Sequence, residues 1–141
     1  MIILDTDHVS ILQWEDQPAE QLRERLVDAI DDWIGTTSIT LEEQTRAIIT
    51  KLGQCKKTAD QPKYYRRLAS TYRFFGRWNF VDFDDEAARQ FDILRKSCRK
   101  LGSSDLKIAS IALVNGALLL TANTRDFENV PGLRFENWLA H

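Results

Sequence analysis

Asp5, Glu43, Asp105 and Asp126 each stand just beyond a short apolar run that reads as a strand, and most are followed by a helical pattern. In an open α/β sheet such junctions collect at one edge, at the carboxyl ends of the strands. Carboxylates crowded there repel one another and are hard to keep ionised without a cation. Hard divalent ions such as Mg²⁺ or Mn²⁺ prefer all-oxygen ligands of this kind. Each acid also has a purely structural explanation, because Asp and Glu are favoured at helix starts and in loops. Caps alone, however, need no common rim. Asp5 follows an apolar strand directly, where an unpartnered carboxylate is costly. The expectation is an acidic metal pocket.

The elements that must position these acids alternate. Residues 1–4 read as a buried strand, with Thr6 or Asp7 capping a first helix. Pro18 opens a second helix over about 19–33, with Leu22, Leu26, Ala29, Ile30 and Trp33 on one face. The β-branched run 36–39 is a second strand, and Thr40 and Glu43 form a capping box for the helix that follows. Pro62 starts a long helix ending near Gly76, with Tyr65, Leu68, Ala69, Tyr72 and Phe75 as its stripe. Residues 80–83 are a third strand, and Asp84 caps a helix to about Lys100, ended by Gly102. Ser103 or Ser104 caps the apolar helix 106–114, Gly116 stops it, and residues 117–121 form a fourth strand. The stretch 123–132 reads as a loop, and 133–135 as a small edge strand. This order predicts one α/β domain over residues 1–141, a three-layer α/β/α sandwich with a central parallel sheet.

The formal net charge of −2 says little about partners, but its distribution says more. Acids dominate residues 15–32, bases dominate 51–77, and a second basic group, Arg95, Lys96, Arg99 and Lys100, lies just before Asp105. Such groups can track phosphates, or simply solvate a helix face. Cys55 and Cys98 match no metal or redox spacing, which favours a reducing compartment. Cys98 is expected in the core, and His8, at a helix start, on the surface. No signal peptide or membrane span is apparent, so a cytoplasmic protein is expected.

Four segments, Ile2–Asp7, Thr37–Glu43, Gly102–Ala109 and Leu120–Phe127, together resemble the PIN domain, with the VapC-type toxins as the nearest subgroup. The tail Val130-Pro131-Gly132-Leu133, followed by Trp138, is similar as well. The resemblance implies a Mg²⁺- or Mn²⁺-dependent ribonuclease, the toxin of a toxin–antitoxin pair. RNA, a cognate antitoxin and a second copy of the chain would be its partners. It places the catalytic and metal-binding acids at Asp5, Glu43 and Asp105. The fourth position falls on Asp126 or Asn123, with Asp126 preferred and Asn123 as a polar helper. Thr6 and Thr121 are further supporting groups. Asp7 stands where the family often has asparagine.

Two other readings remain open at this point. Asp5-Thr6-Asp7-His8-Val9 also resembles the opening of haloacid-dehalogenase-type phosphatases, with Asp5 as nucleophile. The later motifs of that family do not follow in order. A non-catalytic nucleic-acid-binding module is the third.

Overall fold

The strand Ile2–Leu4 (β1), first in the chain, lies at the middle of a five-stranded sheet in the order β3-β2-β1-β4-β5. Every neighbouring pair is parallel. The computed structural model describes residues 1–30 and 32–139. Asp31, within both the acidic run and the expected second helix, lies outside the described residues. The other elements are α1 (Thr6–Trp14), α2 (Ala19–Asp28), β2 (Ile34–Thr37), α3 (Ser38–Gln54), α4 (Pro62–Phe75), β3 (Phe80–Val81), α5 (Asp85–Ser97), α6 (Ser103–Val114), β4 (Leu118–Leu120), α7 (Thr124–Phe127) and β5 (Arg134–Glu136). A short 3-10 turn, Thr58–Asp60, links α3 to α4.

The pleat divides the core between the two faces of the sheet. Ile3 and Leu119 pack with Ala87 and Leu94 of α5 and with Leu106, Ile108 and Ile111 of α6. Ile2, Leu4 and Leu120 pack on the other face with Val9 and Leu12 of α1, Leu22 of α2 and Phe75 of α4. Helices thus cover both faces, as an all-parallel sheet requires. Truncating a fully buried leucine such as Leu4 or Leu119 costs about 2–5 kcal/mol.

Two local devices set the rim. Gly116 takes a left-handed φ of 61°, which lets α6 turn straight into β4. Because that connection is so short, α6 runs antiparallel to β4 and begins at the carboxyl edge of the sheet. Gly35 sits where a Cβ would come within 2.7 Å of the Asn79 carbonyl and closer still to the Trp33 ring. Only glycine allows that approach of β2 to the chain entering β3.

Several boundaries differ from expectation. The α3 helix starts at Ser38, and Thr37 caps it by accepting the Thr40 N–H at 3.2 Å. Glu43 is therefore not half of a Thr40 capping box; it lies further along the helix with its side chain free for other work. Asp5 itself caps α1. α2 stops at Asp28, which leaves Trp33 outside it. Gly102, not a serine, occupies the cap position of α6. The loop 123–132 contains the short α7. Asp105 follows α5 rather than a strand, and reaches the rim because α6 starts there.

Candidate active site

Asp5 is fixed at the centre of the rim. Its backbone N–H donates to the Leu120 carbonyl at 2.9 Å, which locks β1 to β4. One carboxylate oxygen accepts the Thr6 N–H at 2.8 Å, and the other accepts the Thr121 hydroxyl at 2.8 Å. Only 6% of the residue remains exposed, so burial dominates its chemistry. Burial first, then the Asp7 charge, push the Asp5 carboxyl up from 3.8 to about 7, against the lowering effect of its two hydrogen bonds. Asp105 adds a smaller push.

Glu43 comes from α3 and is half-buried. Its Oε1 accepts the Thr6 hydroxyl at 3.0 Å, and Thr6 Oγ1 also lies 3.2 Å from Thr40 Oγ1. Burial raises its pKa, opposed by the Thr6 hydrogen bond, while the Asp105 charge raises it further. Asp105, in the first turn of α6, is raised by burial, then by Asp126, then by Asp7. Among the described residues no hydrogen bond holds the side chains of Asp105 or Asp126, and no Lys or Arg forms an ion pair with Asp5, Glu43, Asp105 or Asp126. Asp126 is exposed on α7. Asn123 caps that helix position, and its N–H donates to Thr121 Oγ1 at 3.0 Å.

His8 corrects the surface expectation: it is fully buried. Its Nε2 accepts the Trp138 N–H at 3.1 Å, so the ring proton belongs on Nδ1, which donates to Asp7 Oδ1 at 2.6 Å. Asp7 Oδ2 in turn accepts the Ala122 N–H at 2.9 Å. Asp7 is thus a strut between the start of α1 and the end of β4, and His8 anchors the strut to the tail. The only hint in sequence was an ionisable pair next to Asp5; the partner lies 130 residues away. Thr40 was also missed, because its link to Thr6 crosses between two helices.

The donor set suits a hard cation. It is all oxygen, burial raises the pKa of Asp5, Glu43 and Asp105, and among the described residues no side-chain cation in ion-pair contact offsets them. Among the described residues no group of three or more His, Cys, Asp or Glu is arranged to hold an ion as the side chains stand. The acids are coupled through space without closing on one point. That still fits Mg²⁺, which keeps several waters and needs only one or two direct carboxylate bonds.

The PIN-domain family matches residues 2–133. The chain belongs to the PIN-domain family. Among curated relatives, the tRNA(fMet)-specific endonuclease VapC of Shigella flexneri is 38% identical over 77 residues, 52% of this chain and 58% of that protein. Ribonuclease VapC2 of Haemophilus influenzae is 32% identical over 78 residues, 52% of this chain and 59% of that one. The match therefore spans little more than half the length of these relatives. A chain of the DNA-bound VapBC structure from Salmonella typhimurium is 30% identical, with 97% of each chain covered and a TM-score of 0.75. A chain of the DNA-bound VapBC2 structure from Rickettsia felis has a TM-score of 0.77 at 24% identity, covering 98% of this chain and 99% of that one; it supports the fold alone. The PIN fold agrees with the expected parallel sheet between helical layers.

Proposed function

We propose that this PIN-domain chain hydrolyses RNA phosphodiester bonds with a bound Mg²⁺ or Mn²⁺ and acts as the toxin of a toxin–antitoxin pair. The observation that carries the reading is the set Asp5, Glu43 and Asp105: buried or half-buried carboxyls whose pKa values burial raises, with the Asp105 charge adding to the rise at Asp5 and Glu43, and without a basic ion-pair partner among the described residues. Asp5 and Asp105 would hold the ion, and Glu43 and Asp126 would complete its shell or orient water. When bound, the ion would lower the pKa of an attacking water and neutralise phosphate charge. The chain's own groups set the stage. Thr121 and the Thr6 N–H fix the plane of the Asp5 carboxylate, and the Thr6 hydroxyl holds Glu43 at the start of α1. Asp105 and Asp126 keep their lone pairs open among the described residues.

The phosphatase alternative fits the geometry poorly. Both Asp7 oxygens are engaged, by His8 and by the Ala122 N–H, so Asp7 is not free to act as an acid or base. Asp5, likewise held at both oxygens, is a poorly exposed nucleophile.

The toxin reading is supported by likeness to the VapBC structures, and it brings a cognate antitoxin and a second copy of the chain as proposed partners. Among the described residues no helix is long and apolar enough to cross a membrane. A cytoplasmic site of action follows from the proposed substrate. The test is direct. Purified chain with Mn²⁺ or Mg²⁺ cleaves RNA, with tRNA(fMet) as the first substrate to try, and Asp5→Asn does not. Equal cleavage by both forms would overturn the assignment.

A further inference from the structure

The larger basic segment of the sequence, 51–77, divides in the fold. Lys51, Lys56, Lys57 and Lys63 line one cleft with Asp60, and none of the candidate acids lines it. Arg67 lies over the Trp14 ring, while Arg73 and Arg77 line a separate groove with Leu41 and Tyr72. The smaller segment converges on a candidate acid. Lys96, Arg99 and Lys100, at the end of α5 and just beyond it, join Arg125 of α7 around a cleft of about 620 Å³. Asp126 lines that same cleft, and its charge acts on Asp105. Lys96 and Arg99 also line an adjoining hollow that reaches Leu106, the residue after Asp105.

A bland account exists for part of this. Arg95 and Lys96 lie in the last turn of α5, where cations complement the helix dipole. That account does not cover Arg99 and Lys100, which are beyond the helix, or Arg125, which comes from another element. Asp92, Asp126 and Glu128 share these walls, yet among the described residues none forms an ion pair with the five bases. Cations left unpaired in a concave surface that ends at a candidate catalytic acid suit a polyanion running into that acid.

We propose that the cleft of Lys96, Arg99, Lys100 and Arg125 holds the phosphodiester backbone of single-stranded RNA on one side of the bond to be cut. That role rests on the nuclease reading. Single-stranded RNA presents spaced phosphates that separated Lys and Arg side chains can meet, and a positively charged groove can track its backbone. The positive cleft also brings the strand up to Asp126 without asking the acids themselves to attract it.

The test is binding of a labelled single-stranded RNA to the full chain in EDTA, followed by anisotropy across a salt series, where no cleavage is needed. Each single-strand phosphate contact contributes roughly 0.7 to the slope of log affinity against log salt. Lys96→Ala/Arg99→Ala should lower the slope by about 1.4 and weaken binding on the order of tenfold at 0.1 M salt. Arg23→Ala/Arg66→Ala, two exposed bases that line neither cleft, should change neither. Both pairs are exposed, and unchanged melting shows that each variant is folded. An unchanged slope in the first pair, an equal loss in the second, or no RNA binding by the wild type overturns the cleft. So does a glutamate-rich peptide that binds the wild type through Lys96 and Arg99 more tightly than RNA does. Cleavage with Mn²⁺ separates the two ideas. If the wild type cuts and the first pair leaves KM unchanged, the cleft fails alone. If the wild type never cuts, the nuclease reading fails while the metal-free titration still judges the cleft.

Discussion

The acidic rim has two unlike halves. Around β1 and β4 the ionisable side chains are tied down: Asp5 by Thr6 and Thr121, Asp7 by His8 and Ala122, and His8 by Trp138. Around α6 and α7, the Asp105 and Asp126 side chains have no hydrogen bond among the described residues, and they are half-buried and exposed respectively. The difference teaches how such a site is assembled. One half is rigid before any ligand arrives, and the other keeps lone pairs free. Substitutions in the tied half should therefore alter stability as well as activity, and those in the open half activity alone.

The largest expected effect tests the open half. Asp105→Asn should lower RNA cleavage by about a thousandfold, the scale of the several kcal/mol that metal-assisted charge stabilisation supplies. Its melting should stay level or rise slightly, since the substitution removes a carboxyl whose pKa burial has raised. A large fall in melting temperature would erase the contrast.

The tied half should show itself in pH dependence. A carboxyl whose pKa is raised in the folded state contributes most favourably at low pH, when it is protonated. That contribution is lost as pH rises from 3.8 to about 7. The metal-free protein should therefore lose on the order of 4 kcal/mol from this one group across that window. Denaturant melts at pH 4 and pH 8 should show the loss, and Asp5→Asn should flatten it. Saturating Mn²⁺ should restore stability at pH 8, by about 2.7 kcal/mol at a hundredfold excess over Kd, and do little at pH 4.

His8→Ala should cost about 3 kcal/mol, because Asp7 and the Trp138 N–H lose their partner in a buried site. Its cleavage should fall less than that of Asp5→Asn. Asp126→Asn is the mildest: about a tenfold loss of cleavage, near 1.4 kcal/mol, with no change in melting. Loss equal to that of Asp105→Asn would place Asp126 among the direct ligands.

Local pattern made much of this readable. Ile2-Ile3-Leu4 ending at Asp5 announces a buried strand that delivers an acid, and Pro62, Asp84 and Gly116 mark their boundaries by backbone chemistry. What escaped was non-local. His8 is buried because residue 138 folds back over it, and no nearby residue signals that. Asp105 reaches the rim through the direction of α6 rather than through a preceding strand. Thr40 looked like a cap because Thr-x-x-Glu is a capping pattern, but Thr37 took the position three residues earlier. Tyr65 and Tyr72, grouped with Phe75 as one stripe, separate in the fold: Phe75 is buried and both tyrosines are exposed.

Asp5 is made before the hydroxyl that steadies its carboxylate, which belongs to Thr121, 116 residues downstream. A chain emerging from the ribosome cannot form that grip until β4 and Thr121 have been synthesised. Such an order of assembly couples the setting of this acid to the pairing of β1 with β4. On the nuclease reading, a fragment that ends before β4 should therefore cut no RNA.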